Sequence, residues 1–184
     1  MGPQSPQGDE HEAHFRPGES GLWLTPVSEL GPDAVAFVSG LRRALELEAL
    51  IAASPLVRVV PVARAVSIEG VVVEMLALEL RAAGFRAWFR FASADPPRAP
   101  VGHPVAATHD AEGTAYETAT QLRARFGSRG DAEVLVMPGP RAAVSALTVS
   151  VTRFVVPPSS PPPAPQPPVE ALEGPWEFVI ELDR

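Results

Sequence analysis

Hydrophobic and polar residues alternate most regularly over residues 85–91, which read FRAWFRF. Apolar side chains take every second position, and two arginines and a tryptophan lie between them, namely Arg86, Trp88 and Arg90. A repeat of two is that of a β-strand, whose side chains point alternately to its two faces. The pattern therefore predicts a half-buried strand with its phenylalanines toward the core and its arginines outside.

Similar short segments follow one another after residue 56, separated by turn residues such as Glu69-Gly70 and Ala83-Gly84. Further strands are predicted at residues 57–62, 66–68, 71–80, 105–108, 114–118, 132–137, 146–156 and 176–182. Short strands at roughly ten-residue spacing are typical of an antiparallel β-sandwich. A closed barrel is the competing all-β fold, and the uneven loop lengths favour the sandwich.

Residues 32–53 follow a different repeat, with apolar side chains at spacings of three and four. These positions would share one face of a helix: Ala34, Phe37, Val38, Leu41, Ala44 and Leu45. Pro32 suits the first helical turn, and Ser54, which precedes Pro55, avoids helical backbone angles. We therefore predict one helix over residues 32–53, ahead of the strands.

The two ends of the chain differ from its middle. Residues 1–20 are polar and rich in proline and glycine, so we predict a disordered N-terminal tail. Residues 21–56 form an N-terminal segment that holds the helix and an apolar patch, Leu22-Trp23-Leu24, which is either a short strand or an anchor. Residues 57–184 form the sandwich. Its proline-rich insertion at residues 157–168 is expected to be a stiff polyproline II spacer, and a PxxP docking site is the alternative.

The composition of the chain excludes several kinds of functional site. The chain has 184 residues, a net charge of −7 and no cysteine, which excludes disulfides, thiolate metal sites and a cysteine nucleophile. The negative charge argues against a nucleic-acid surface, which needs clustered positive charge. Lysine and asparagine are both absent, which indicates a GC-rich genome, and we expect a bacterial source.

Apolar stretches of the sequence indicate the cellular location of the protein. No segment approaches the roughly 20 apolar residues that span a bilayer, and the N-terminus lacks the pattern of a signal peptide. We therefore expect a cytoplasmic protein if Met1 is the native start, and an exported one if a leader has been removed.

Candidate chemical groups are sparse. The spacing of His11 and His14 does not match the zinc-protease helix, which needs two residues after the glutamate. His103 and His109 flank one short strand without a firm third ligand. Asp110 belongs to a D-x-x-G turn, in which it would accept backbone hydrogen bonds. We predict no catalytic residue, no metal and no cofactor.

The stripe of Arg86, Trp88 and Arg90 on the outer face of its strand is the candidate binding surface, because tryptophan and arginine are typical interface anchors. Trp23 is included as a fourth candidate interface residue. The alternative is that the helix or the 22–24 segment covers Trp88 and makes it part of the core.

Three motifs carry a resemblance to a known class of domain. Asp110-x-x-Gly-Thr-x-Tyr116, the strand at residues 147–151 and the Gly174-Pro-Trp-Glu-Phe sequence resemble a pattern in uncharacterised actinobacterial immunoglobulin-like domains. The resemblance covers residues 57–184. It implies an immunoglobulin-like antiparallel β-sandwich, here with one N-terminal α-helix, and no known catalytic residues.

These observations lead to three hypotheses about function. The first is a non-catalytic protein-interaction module whose partner is a protein. The second is a self-assembling structural subunit, a homo-oligomer that uses an N-terminal arm or a strand edge. The third is a small-ligand binder or enzyme that uses His103, His109, Arg123 and Arg125 near loop ends.

Overall fold

The computed structural model describes residues 11–15, 22–26, 32–93, 103–126, 129–141, 143–155 and 172–182. Over these residues the chain is mainly β, with antiparallel strand pairing and one helix. The elements in chain order are β1 (His11–Phe15), β2 (Leu22–Pro26), α1 (Pro32–Ala53), β3 (Leu56–Ile68), β4 (Val71–Arg81), β5 (Phe85–Ser93), β6 (His103–Asp110), β7 (Glu117–Phe126), β8 (Arg129–Met137), β9 (Ala146–Val155) and β10 (Leu172–Glu181).

Two antiparallel sheets enclose the main core, as a β-sandwich does. One sheet has five strands in the order β3-β4-β5-β8-β7, and the other has three in the order β10-β9-β6. Strands β1 and β2 pair with each other, with His14 opposite Trp23. The predicted hairpin around residues 82–84 is the connection between β4 and β5.

The core consists of the inward residues of both sheets, and its aromatic rings join them. On β5, Phe85, Phe89 and Phe91 are buried as the alternation predicts. Phe91 meets Phe154 of β9 with ring centroids 5.1 Å apart. The buried Trp176 of β10 donates a hydrogen bond from Nε1 to the Val71 carbonyl at 3.1 Å, which satisfies its polar atom across the two sheets.

Helix α1 begins and ends where the sequence predicts. Among the side chains of α1 that the structure describes, three are fully buried, Ala44, Leu47 and Ile51, and they pack with Leu135 of β8 on the outer face of the five-stranded sheet. The apolar face differs in detail from the predicted one, because Leu45 is 57% exposed. The residues of α1 that contact the sheet, at positions 44, 47 and 51, follow one another at spacings of three and four.

Some elements differ from the predicted ones. Strand β3 is continuous from Leu56 to Ile68, although the pattern divides it, because a bulge with Ala63 at a φ of 46° lets the strand continue past its irregular middle. The strand predicted at residues 114–118 starts at Glu117, since the turn after Asp110 uses the preceding residues. Strand β1 lies within the segment predicted as a disordered tail.

Both long sides of the sandwich are joined by hydrogen bonds. Between β6 and β7, the Nε2 atom of His103 lies 2.8 Å from the Thr120 carbonyl. Between β3 and β10, Arg64 donates from a terminal guanidinium nitrogen to the Val179 carbonyl at 3.0 Å. The proline-rich insertion at residues 157–168 lies outside the described residues. Within the described ranges, no helix is long and apolar enough to cross a membrane.

Candidate functional site

The outer face of the five-stranded sheet carries the candidate stripe. Strand pairing places one row of outward residues directly side by side, from the β3 edge to the β7 edge: Pro61, Ala77, Trp88, Glu133 and Gln121. Trp88, at the centre of this row, is half-buried. It belongs to neither of the two apolar clusters formed by the described residues. Its ring is therefore a large apolar group outside the packed core.

The two arginines beside Trp88 have different surroundings. Arg90 is more than half exposed and pairs with Asp131 of β8, with Nε 3.3 Å from Oδ1. The Arg86 side chain is only 12% exposed, and its nearest carboxylate, that of Glu133, is 3.9 Å away. The arginines do lie on the outer face, as predicted, but only Arg90 of the two presents its charge to solvent.

Glu133 is the residue of this face that sequence reasoning missed. Its side chain is 1% exposed, and Oε2 accepts a hydrogen bond of 2.8 Å from Arg123 of β7. Arg123 also contacts Glu48 of α1. Hydrogen bonding to Glu133 is the largest cause that raises the pKa of Arg123. The alternation of Asp131, Glu133 and Leu135 with buried apolar residues was the available signal for this outward position.

A β-bulge explains why Arg123 reaches this carboxylate. Leu122 pairs with Ala132 and Ala124 with Asp131, so that Arg123 is an extra residue between two regular pairs. Bulges redirect side chains in this way. An irregularity of register cannot be recognised in the residue pattern, so nothing in the sequence indicated that Arg123 would reach Glu133.

On the described part of this face, three buried atoms have no hydrogen-bond partner: Arg86 Nε, Gln121 Oε1 and Glu133 Oε1. Glu133 and Gln121 are directly opposed in the β7–β8 pairing. Arg86 lies opposite Leu135, one diagonal position from Glu133. The face thus combines a half-buried tryptophan with a closely packed set of charged and polar groups.

Trp23, the fourth candidate residue, lies on β2. Its side chain is outside what the structure describes, so its relation to Trp88 stays a prediction of the sequence. The same holds for the side chain of Arg125.

The histidines and arginines of the ligand-binding hypothesis are not gathered into one site. His103 and His109 are at opposite ends of β6, about 20 Å apart at the usual rise of a strand. His103 is half-buried against Phe37 of α1, and burial lowers its pKa. Arg123 is held in the Glu133 cluster instead. Among the described residues, no group of three His, Cys, Asp or Glu side chains could hold a metal ion.

Asp110 has the structural role that its turn motif predicts. Its Oδ1 accepts backbone hydrogen bonds from Glu112 and Thr114 at 3.0 and 2.9 Å, and Oδ2 accepts one from the Tyr116 hydroxyl at 3.1 Å. Burial alone would raise the pKa of Asp110, but these hydrogen bonds outweigh it and lower the pKa. Gly113 supplies the positive φ, 81°, that the turn requires.

Comparisons with known proteins add one similar structure. No protein-family model and no curated protein matches the chain. It is similar to a solved structure described as the conserved domain protein from Bacillus anthracis, with 11% sequence identity and a TM-score of 0.49. The match covers 68% of this chain and 49% of that chain, so this chain spans about half the length of the structure that it matches.

Proposed function

We propose that the chain is a non-catalytic protein-interaction module and that it binds through the Trp88 face, defined here as Val59, Pro61, Ala77, Trp88 and Arg90. The main support for this proposal is the half-buried indole of Trp88, which lies on an outer sheet face and outside both apolar clusters. Pro61 and Ala77 continue the apolar surface beside it toward the β3 edge.

The chemistry of this face suits a protein partner. Tryptophan and arginine dominate the binding energy of many interfaces, especially where apolar contact is rimmed by polar groups. Arg90 and Asp131 supply an exposed pair of opposite charges at one side of Trp88. A partner can therefore bury the indole and exchange one exposed ion pair for contacts of its own.

We also propose that the sandwich is immunoglobulin-like. Constant-type immunoglobulin domains have one sheet in the strand order A-B-E-D and the other in the order C-F-G. If β4 to β10 are taken as A to G, both orders are obtained, with β3 as an extra edge strand before A. In antibody domains a disulfide joins strands B and F. The Phe91–Phe154 ring contact joins the corresponding strands of this cysteine-free chain.

The interaction hypothesis is tested by quantitative affinity capture from extracts of the source cells. The baits are the wild-type chain, Trp88→Ala and a matched control, Val179→Ala, which truncates an exposed apolar residue of the other sheet. We expect a protein that the wild type and the control retain equally and that Trp88→Ala loses at least about tenfold, the usual loss at a central anchor. Identical proteins on all three baits would refute the proposed face.

Self-assembly through β3 is the second candidate function. Strand β3 is an edge of its sheet, and it exposes Leu56, Val57 and Val59, with Val57 67% exposed. An exposed apolar edge is a template for pairing with another chain. If it is used, sedimentation velocity will show a concentration-dependent dimer that Val57→Lys abolishes and Val72→Lys, on the adjacent strand, does not. A wild-type monomer at high concentration would end this alternative.

A further inference from the structure

Helix α1 lies over a part of the sheet whose polar groups are poorly satisfied. The unpartnered atoms of Arg86, Gln121 and Glu133 belong to three neighbouring strands and share the outer face on which α1 packs. A buried polar atom without a partner has lost its hydration and gained no protein hydrogen bond in return. These three atoms would therefore be more stable if water reached them.

Among the described residues, apolar, aromatic and ionic contacts hold α1 on the sandwich. Ala44, Leu47 and Ile51 pack on Leu135, with Ala119 and Met137 at the margin, and the Phe37 ring meets the His103 ring of β6 with centroids 5.6 Å apart. Two ion pairs join α1 to β7. Arg43 holds Glu117 in a two-bond pair at 2.6 and 2.9 Å, in which both side chains are nearly half exposed. Exposed pairs of this kind contribute little and weaken with salt.

The C-terminal end of α1 is fastened more firmly than the rest. Arg81 donates hydrogen bonds to the carbonyls of Ala52 and Ser54 at 3.1 and 2.7 Å. Two residues, Ser54 and Pro55, separate the helix from β3. Because these bonds and the short connection fix this end, we expect α1 to separate from the sheet by rotation about it. That rotation would first part the Phe37 and His103 rings and break the Arg43–Glu117 and Glu48–Arg123 pairs.

We propose that α1 is a displaceable cover, which opens about its C-terminal end and exposes Leu135, Glu133 and Gln121 next to Trp88. Opening hydrates the three unpartnered atoms and enlarges the apolar surface beside the Trp88 face. The closed state is retained by the Ala44, Leu47 and Ile51 contacts, by the Phe37–His103 ring contact and by the two ionic pairs. This proposal about the cover does not depend on the proposed function, because its test uses the isolated chain without any partner.

Hydrogen exchange of the full chain, followed by mass spectrometry, tests the cover. In the wild type we expect the amides of α1 to exchange at least about tenfold faster than those of β5 and β8, as a sub-global opening requires. Glu117→Gln, which removes an exposed tether, should speed exchange of α1 about twofold to fivefold and leave β5 and β8 unchanged. Arg90→Gln removes an exposed pair elsewhere on the same face and should change nothing in α1.

Gln121→Leu separates the cover from ordinary helix fraying. It removes one unpartnered buried acceptor from the closed state, and exchange of α1 should therefore slow. If α1 exchanges only at the rate of β5 and β8, or if Gln121→Leu leaves its exchange unchanged, the proposal is wrong. A series from low to high salt tests the cover on the wild type alone. The exchange of α1 must speed up as rising salt screens the ion pairs.

Discussion

Glu133 is a carboxylate on a sheet face with almost no solvent contact, and only one of its oxygens has a hydrogen-bond partner. Arg123 and Arg86 surround it with positive charge at 2.8 and 3.9 Å. A single residue thus links Trp88, the bulge of β7 and, through Arg123, the helix. At the residue scale, Glu133 therefore lies at the centre of the charges that β5, β7 and β8 place on this face.

Truncation of Glu133 should be costly. In Glu133→Ala, Arg86 and Arg123 lose the carboxylate that compensates their partly buried charges, and we expect the free energy of unfolding to fall by about 3 kcal/mol. Asp131→Ala is the matched control, because Asp131 lies two residues away on the same face in an exposed pair, and it should cost at most about 0.5 kcal/mol. Urea unfolding of both variants measures the difference. Equal losses would show that burial of Glu133 has no energetic consequence.

His103 should make stability depend on pH. Burial lowers its pKa in the folded chain below the ordinary 6.5, whereas the unfolded chain binds the proton at the ordinary value. Since the unfolded state then takes up more protons, stability falls as the pH drops below 6.5 and levels off beneath the folded pKa. The lowered carboxylate pKa values of Asp110 and Glu117 act in a separate, more acidic range.

Urea unfolding at about pH 7.5 and about pH 5.5 tests this dependence. We expect His103→Gln to remove most of the loss between these two values, because it removes the group that titrates. His109→Gln changes an exposed histidine of the same strand and should leave the loss in place. The interpretation fails if the two variants have the same pH profile.

At the scale of elements, the residue pattern predicts what depends on local repeats and misses what depends on pairing. Helix α1 was predictable to both ends because Pro32 and Pro55 flank an unbroken repeat. Strand β5 was predictable because its alternation is complete. The extent of β7 and the bulge at Arg123 were not, since register depends on the neighbouring strand.

Two glycines test how tightly these elements pack. A Cβ at Gly130 of β8 would lie 2.2 Å from the Phe91 ring, so Gly130→Ala should destabilise the chain by about 1–3 kcal/mol. A Cβ at Gly40 of α1 meets nothing within 4 Å. Gly40→Ala should therefore stabilise the chain by about 1 kcal/mol through helix propensity. Thermal unfolding of the two variants should show shifts of opposite sign; shifts of the same sign would contradict the packing described.

At the scale of the whole molecule, the alternating strands predicted a sandwich, but the sequence alone could not assign each strand to a sheet. That assignment depends on contacts between distant residues, such as Phe91 with Phe154 and Trp176 with Val71. The candidate site was predictable in part for the same reason. The outward position of Trp88 follows from local alternation, whereas its neighbours Pro61, Ala77 and Glu133 follow from the order of the strands.

Site-specific photo-crosslinking in the source cells tests whether the chain binds a protein through the Trp88 face. A benzoylphenylalanine replaces Arg90, an exposed member of the Trp88 face, or Val179 on the other sheet, or Val57 on the β3 edge. We expect an adduct with a different protein from position 90 and none from position 179. Binding through the Trp88 face would be refuted by adducts of equal yield at positions 90 and 179, or by an adduct from position 57 alone that contains a second copy of this chain.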